Sequence, residues 1–322
     1  MRLPTVLPAL LVLLFVSQSR LPALSADETK PPLADTADVV KVFILAGQSN
    51  MEGAGAIAAN PQHNEGRGSL EYVAEHQPES AIGRWRDAQG DWRERDDVWI
   101  HYLDRKGHLR PGYGARPDRI GPELGFGTVV GDHFAAPVLL IKLAWGGKSL
   151  AVDFRPPSAG GDGPGAYYKE LIERTRHVLA HLDQELPELA GKQVELVGIG
   201  WHQGWNDRIN QAFNDAYTTN LAHLIRDLRR DLNAPQLPFV IAETGMSGRD
   251  EKHPRALSLM RAQAAVAELD EFRGNVAFVG TRDFFRPANE SPSGQAYHWN
   301  SNAETYYLIG EGMGQAMLTL LK

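Results

Sequence analysis

Cysteine is absent from all 322 residues of the chain. This absence excludes disulfides, a thiolate nucleophile and any cysteine-based metal site. We find no internal repeat and no low-complexity tract. No apolar run approaches the ~20 residues that a membrane-spanning helix needs. Hydrophobic residues nevertheless make up 43% of the sequence, which is enough for one large globular domain stabilised by its core alone.

The N-terminus has the pattern of a secretory signal peptide. Met1-Arg2 precedes an apolar run from Leu7 to Val16, and small residues follow up to Ala26. We predict a signal peptide over residues 1–26, a polar leader over 27–38, and export to the periplasm or cell exterior. Removal of residues 1–26 deletes two arginines and no acids, so the net charge changes from −7 to −9. A mature protein this acidic is a poor candidate for nucleic-acid binding, and it retains no membrane span.

The rest of the chain alternates predicted strands and helices. Five short apolar runs are typical of strands that are covered on both faces: Val39 to Leu45, Pro137 to Leu143, Val194 to Gly200, Pro238 to Glu243, and Asn275 to Gly280. Helical spacing separates them, over about 122–134, 167–182, 213–232 and 260–269, and a last helix ends the chain. The pattern predicts an α/β fold, a three-layer α/β/α sandwich around a five-stranded parallel sheet.

A long connection, residues 54–120, interrupts this alternation. Loops of that length are usually functional or mobile, and this one should lie beside the end of the first strand. We interpret it as a substrate-shaping insertion within a domain over 39–322. Its aromatic side chains either stack on a substrate or anchor the loop to the core, and its arginines Arg84, Arg86 and Arg93 either grip an acidic ligand or are solvated. The aromatic residues in question are Trp85, Trp92, Trp99, Tyr102 and Tyr113.

The first strand ends in Gly47-Gln48-Ser49-Asn50, which makes Ser49 the candidate nucleophile. Ligands of open α/β folds bind outside the carboxyl ends of the strands. Two more strands end in polar or glycine-rich segments. Gly146 and Gly147 follow the second, where a backbone N–H could bind an oxyanion.

The third strand ends in Trp201-His-Gln-Gly-Trp-Asn-Asp207, where Gln203 or Asn206 could donate an amide N–H to the same oxyanion. The side chains around these groups are the predicted substrate contacts: Gln48, Asn50, Trp145 and Trp205.

His298 is the candidate general base for Ser49. It precedes Ser301-Asn-Ala-Glu304, which we interpret as a capping box at the start of the last helix. The cap would hold His298 in a fixed loop. At this point, the group that orients the imidazole can be either neutral or charged.

The order of these motifs resembles the SGNH hydrolase superfamily, and within it the sialate O-acetylesterase-like, carbohydrate esterase family 6 group. The resemblance rests on Gly47 to Met51, on Gly121 to Gly127, on Trp145 to Ser149, on His202-Gln-Gly204 and on His298. It implies a flavodoxin-like fold, no cofactor or metal, and hydrolysis of acetyl esters on sugars.

The resemblance assigns Ser49 as nucleophile and His298 as base. It forms the oxyanion hole from the Ser49 N–H, a glycine N–H at 146 or 147, and an amide, for which Gln203 is favoured over Asn206. The family usually has Asp three residues before the histidine, whereas this chain has Gln295. The neutral Gln295 amide could orient the His298 ring but would add no charge. Otherwise a backbone carbonyl would hold it, or a carboxylate from elsewhere: Asp207, Asp283, Glu290 or Glu304.

Three other functions stay open beside the carbohydrate acetylesterase. Without the triad acid, the chain could be a weak or inactive carbohydrate-binding protein on the same scaffold. It could instead hydrolyse lipid or aryl esters, or transfer acetyl to another alcohol rather than to water. The sequence does not identify the sugar, its acetylated position or the oligomeric state.

Overall fold

A computed structural model describes residues 35–322 of the chain. The predicted signal peptide and most of the predicted leader lie outside the described residues. Within this range the strands are β1 (Val39–Gly47), β2 (Gly55–Ala56), β3 (Val98–Tyr102), β4 (Arg105–His108), β5 (Arg119–Ile120), β6 (Val138–Ala144), β7 (Gln193–His202), β8 (Phe239–Ala242) and β9 (Val276–Val279). The helices are α1 (Ser49–Glu52), α2 (Leu70–His76), α3 (Glu123–His133), α4 (Ala166–Ala180), α5 (Leu182–Glu185), α6 (Trp205–Arg208), α7 (Gln211–Asp215), α8 (Tyr217–Asp231), α9 (Pro254–Ala267) and α10 (Ala303–Leu320).

Seven strands form one sheet in the order β4-β3-β6-β1-β7-β8-β9. All five predicted strands are present and parallel. The prediction of a five-stranded sheet is wrong in its count, because the insertion adds β3, which is parallel to β6, and β4, which is antiparallel to β3. These two strands were missed because they lie within the long connection after β1, where we expected only loop.

Helices cover both faces of the sheet, and β1 shows how the sequence produces this. Val42 and Ile44 contribute to one apolar cluster, and Phe43 and Leu45 contribute to the other. Consecutive side chains on a strand point to opposite faces, so an unbroken apolar run is buried on both. The first cluster includes residues of α4 and α8, and the second includes residues of α3 and α10. Each such side chain contributes about 1.5–3 kcal/mol when fully buried.

The last helix packs against α3 at two glycines. A Cβ on Gly310 would lie 1.9 Å from the Pro122 carbonyl oxygen, and one on Gly125 would lie 2.0 Å from that of Tyr307. Only glycine permits this backbone approach. The contact fixes the start of α10 at the carboxyl edge of the sheet, beside α1.

The cap of α10 differs from the predicted capping box. Asn302 is the N-cap residue, and its Oδ1 accepts a hydrogen bond from the Thr305 N–H at 3.0 Å. Ser301 has a φ of +57°, in the left-handed region, and Glu304 forms an ion pair with Arg286 at 3.0 Å. The prediction that Ser301 and Glu304 cap this helix is therefore wrong by one residue. Asn suits an N-cap as well as Ser does, so the sequence did not separate the two registers.

Among residues 35–322, no helix combines the length and apolar character that crossing a membrane requires.

Candidate active site

Ser49 lies at the first position of α1, directly after β1, the strand at which the chain order of the sheet reverses. The sheet continues from β1 to β6 on one side and to β7 on the other, and such switch points are where ligands bind. Gly47 makes the turn possible, because its φ is +154° and a Cβ there would lie 2.1 Å from the His202 carbonyl oxygen. Ser49 is half-buried, so its hydroxyl stands at the surface of the sheet edge.

The residues beside the candidate nucleophile Ser49 and the candidate base His298 are linked by hydrogen bonds. Asn50 Nδ2 donates to the Tyr297 carbonyl at 3.1 Å, and Asn50 Oδ1 accepts from the Tyr306 hydroxyl at 2.7 Å. These bonds join the Ser49 helix to the His298 loop. Because Asn50 is almost fully buried, its geometry favours a positioning role over the predicted contact with substrate.

His298 is held by an unusual backbone segment. Trp299, Asn300 and Ser301 have φ values of +50°, +53° and +57°, a conformation that costs L-residues roughly 1–2 kcal/mol each. The fully buried Trp299 ring and a 3.0 Å hydrogen bond from Asn300 Nδ2 to the Arg286 carbonyl hold the segment in place. Strained backbone of this kind clusters at functional sites.

None of the predicted orienting groups contacts the His298 imidazole. Among residues 35–322, no side chain or carbonyl forms a hydrogen bond with either ring nitrogen. The backbone N–H of His298 donates to the Gln295 carbonyl at 2.8 Å, while the Gln295 side chain is exposed. Burial lowers the pKa of His298 below its usual 6.5. The imidazole is therefore neutral at pH 7, the state in which it can accept a proton.

Three of the four carboxylates considered for His298 have other partners, and the fourth, Glu290, is exposed. Asp283 forms two 2.7 Å bonds with Arg249. Asp207 is buried and accepts from the Leu150 and Ala151 N–H groups at 2.8 and 2.9 Å. Burial raises the pKa of Asp207 to about 6. Its role is to tie the loop after β6 to α6.

Gln203, the favoured oxyanion donor, is buried with its amide already hydrogen-bonded. Its Nε2 lies 2.6 Å from Asp207 Oδ2 and 3.0 Å from the Lys148 carbonyl, and its Oε1 accepts from the Tyr217 hydroxyl at 3.0 Å. Both N–H bonds of the amide therefore point at protein acceptors. This geometry favours Asn206 as the donor to an oxyanion.

Asn206 is oriented by Gln48. The Gln48 amide donates from Nε2 to Asn206 Oδ1 at 3.1 Å, and its Oε1 lies within 3.3 Å of the Gly204 and Asn206 N–H groups. With its oxygen bound, Asn206 retains its Nδ2 group, and the residue is half-exposed. Gln48, which we predicted to contact substrate, is itself only 2% exposed and positions this loop.

The two glycines after β6 differ in their availability. Glu52 accepts a hydrogen bond from the Gly146 N–H, and a Cβ on Gly146 would lie 3.0 Å from Glu52 Oε2 and 3.7 Å from Ser49 Cβ. Burial raises the pKa of Glu52. Both glycines are exposed, but within residues 35–322 the Gly147 N–H donates no hydrogen bond, so it is the more available oxyanion donor. Sequence reasoning missed Glu52, although it lies three residues after Ser49.

The predicted aromatic contacts divide into two groups. In the insertion, Trp85, Trp99, Tyr102 and Tyr113 are no more than 7% exposed, which confirms the anchoring interpretation for these four. Arg86 lies over the Trp92 ring at 3.7 Å.

Around the nucleophile, Trp145 packs with Tyr167 at 5.1 Å between ring centroids. Trp205 packs with Tyr297 at 5.5 Å. Tyr297 was not predicted, and its only signal in the sequence is that it precedes His298. No group of three or more His, Asp or Glu side chains within residues 35–322 is arranged to hold a metal ion.

Comparisons with known proteins identify the family of this chain. A family model described as carbohydrate esterase, sialic acid-specific acetylesterase, matches residues 39–319. A probable carbohydrate esterase of Arabidopsis thaliana is 26% identical over 218 residues, which are 68% of this chain and 74% of the relative.

Solved structures share the fold at low identity. The crystal structure of the Arabidopsis thaliana protein has a TM-score of 0.57 at 18% identity, covering 88% of this chain and 98% of its own. A carbohydrate acetylesterase from Xanthomonas citri has a TM-score of 0.50 at 14% identity, covering 86% of this chain and 55% of its own. NanS also has a TM-score of 0.50, at 17% identity, covering 81% and 87%. At these identities the likeness shows the fold alone.

Proposed function

Because the chain belongs to the carbohydrate esterase, sialic acid-specific acetylesterase family, we propose that it is an exported serine esterase that removes O-acetyl groups from carbohydrates. The observation that supports the proposal most is the hydrogen bond from Asn50 to the Tyr297 carbonyl, which links the Ser49 helix to the His298 loop. It holds a half-buried hydroxyl and a neutral imidazole at the same edge of the sheet.

The reaction proceeds in two acyl-transfer steps. His298 accepts the Ser49 proton as Ser49 Oγ attacks the acetyl carbonyl, and the N–H groups of Ser49, Gly147 and Asn206 Nδ2 stabilise the oxyanion. His298 then donates the proton to the sugar oxygen as the C–O bond breaks. Water, deprotonated by His298, attacks the acetyl-enzyme, and acetate leaves with Ser49 regenerated. The oxyanion assignments follow from which donors the surrounding protein leaves unoccupied.

The experiment is acetate release from acetylated xylan, acetylated sialosides and a simple aryl acetate by the purified mature protein. We expect release that falls at least 10³-fold in the Ser49→Ala and His298→Ala variants. Ser301→Ala, which changes a hydroxyl in the same loop, is the matched control and should retain activity. Equal release by wild type and Ser49→Ala would refute the nucleophile.

A weak or inactive carbohydrate-binding protein is the second candidate, and one observation favours it. Within the described residues, the His298 ring has no carboxylate partner to stabilise its protonated form. Sugar binding by a folded wild-type protein that releases no acetate would select this candidate. A preference for longer acyl chains in an ester series would instead select a lipid or aryl esterase.

Export is tested separately. The protein expressed from its full sequence should lose residues 1–26 on secretion, which N-terminal sequencing of the processed protein measures. An intact N-terminus on protein recovered from the cytoplasm would contradict export.

A further inference from the structure

A row of contacting side chains extends from His298 across the outer rim of the site. The Tyr297 and His298 rings lie 4.5 Å apart with a tilt of 55°, and the Tyr297 and Trp205 rings lie 5.5 Å apart with a tilt of 37°. The Arg208 guanidinium lies 4.1 Å from the Trp205 ring centroid. These contacts place the Tyr297 ring next to His298 and the Trp205 ring next to Tyr297.

Exposed apolar side chains lie in the loops around this row. Four large hydrophobic residues among those described are well exposed, and three of them lie in the loops that carry the site: Val152 at 48%, Ile209 at 51% and Tyr297 at 41%. Asp207 ties the 150–151 segment to α6, and Asn50 ties Tyr297 to α1. The exposed Tyr297 ring is therefore held in a fixed place at the rim of the site.

Arg208 supplies the polar part of this surface. Among residues 35–322, its guanidinium has no hydrogen-bond acceptor and no ion-pair partner, although it is half-buried. Burial lowers its pKa from the usual 12.5, but a guanidinium stays protonated at neutral pH. Its N–H donors are therefore available to oxygen atoms of a ligand that lies on Trp205.

We propose that Trp205, Tyr297 and Arg208 form a pyranose subsite for the alcohol portion of the ester. One apolar C–H face of the sugar ring lies on the two aromatic rings, and a ring substituent oxygen accepts a hydrogen bond from Arg208. The proposal rests on the function proposed above, and it adds the residues that recognise the sugar.

The position of the row fits the direction of the reaction. His298 donates its proton to the leaving oxygen, so the leaving sugar must lie on the His298 side of Ser49. The oxyanion donors proposed above, Gly147 and Asn206, would define the other side, which receives the carbonyl oxygen. Since Tyr297 is adjacent to His298, a sugar on Tyr297 and Trp205 has its ester oxygen within the reach of the base.

The test compares two acetate esters that differ only in their alcohol. Mono-O-acetylated methyl xylopyranoside has a pyranose ring, and ethyl acetate has none. In Tyr297→Ala, we expect the ratio of kcat/KM for the pyranoside to that for ethyl acetate to fall about tenfold, mainly through KM, because the ring loses an aromatic face. Tyr297→Phe keeps the face and should keep the ratio.

Matched variants separate recognition from structure. Trp92→Ala removes the other tryptophan that carries a stacked arginine, on the insertion, and should leave the ratio unchanged. Arg208→Lys keeps the charge but loses the planar fork, and it should lower the ratio several-fold. An unchanged ratio in both Tyr297→Ala and Arg208→Lys would overturn the subsite.

A binding measurement distinguishes failure of the subsite from failure of the proposed function. Calorimetry of the acetylated pyranoside with Ser49→Ala protein should show binding that Ser49→Ala/Tyr297→Ala weakens about tenfold. If wild type releases no acetate but this loss of affinity occurs, the subsite stands and the esterase function fails. If release depends on Ser49 but neither affinity nor ratio changes in Tyr297→Ala, the function stands and the subsite fails.

Discussion

Lys142, in the middle of β6, is a fully buried cation on which three parts of the site depend. Its Nζ donates to Glu123 Oε2 at 2.6 Å and to the carbonyls of Glu52 and Tyr113 at 2.7 Å each. Glu123 is also fully buried, and its Oε1 accepts from the Gly121 N–H at 2.7 Å. The pair therefore joins the sheet to the C-terminal end of α1, to the insertion and to α3.

Replacing Lys142 by Met fills a similar volume but leaves the Glu123 carboxylate buried without a cation. Removing one partner of a buried pair costs about 3–5 kcal/mol of unfolding free energy. For a domain of this size, that lowers the melting temperature by roughly 5–8 °C. Lys142→Met/Glu123→Gln removes both charges, so its cost should be smaller than the sum of the two single costs by about 2 kcal/mol or more.

The assay is urea unfolding of wild type, the two single variants and the double variant, followed by tryptophan fluorescence. Arg226→Met is the control, because the Arg226–Glu271 pair is exposed at 42% and 47%, and such pairs contribute about 0–1 kcal/mol. If the unfolding free energies lost in the two single variants add up to the loss in the double variant within about 0.5 kcal/mol, the reasoning is refuted. Ester hydrolysis should be low in Lys142→Met and equally low in the double variant, because the Glu52 carbonyl lacks its Lys142 donor in both.

Three further outcomes follow from the structure. Because burial lowers the pKa of His298, the acid limb of kcat/KM against pH should have its midpoint below 6.5, and a midpoint above 7 would contradict a base without a carboxylate partner. Asp207 has a folded pKa of about 6 against an ordinary 3.8, so the folded state binds the extra proton between about pH 4 and 6. Its contribution to unfolding free energy should fall by about 3 kcal/mol as pH rises through that window; the pH dependence of wild type minus that of Asp207→Asn measures it, and a contribution that rises would contradict the sign. Asn302→Ala should cost about 1 kcal/mol in thermal unfolding, whereas Ser301→Gly should cost nothing because its φ is +57°; the reverse order would restore the Ser301 capping box.

Apolar runs predicted the sheet well because burial on both faces leaves a strong signal. The strand at Val39–Gly47 is buried throughout, and its sequence is apolar at almost every position. The edge strand β4 gives a weaker signal, since it is half-exposed and reads Arg-Lys-Gly-His. Edge strands have one open side, so their sequences resemble loops. Its neighbour β3 is interior and fully buried, and it was missed because it lies within the long connection after β1.

The sequence predicted which segments meet at the site but not which polar atoms remain available there. Gln203 and Asn206 are both amides after the same strand, and composition cannot separate them. The separation comes from Asp207, Lys148 and Gln48, whose contacts occupy the N–H groups of Gln203 and the oxygen of Asn206. The contacts of Lys148 and Gln48 join segments more than fifty residues apart, so no local pattern records them.

The absent triad acid is a second case in which the sequence alone does not show how a site residue is held. In a triad, an acid orients the imidazole and stabilises its charged form. Here the backbone supplies the orientation: Trp299 is buried, Asn300 is bonded to Arg286, and three consecutive residues adopt left-handed φ. The charge is not replaced, so His298 should act as a well-placed but weakly basic imidazole. Because the Gln295 side chain is exposed and away from the imidazole, Gln295→Asp alone should change the pH profile of activity little, since an exposed charge is screened by solvent.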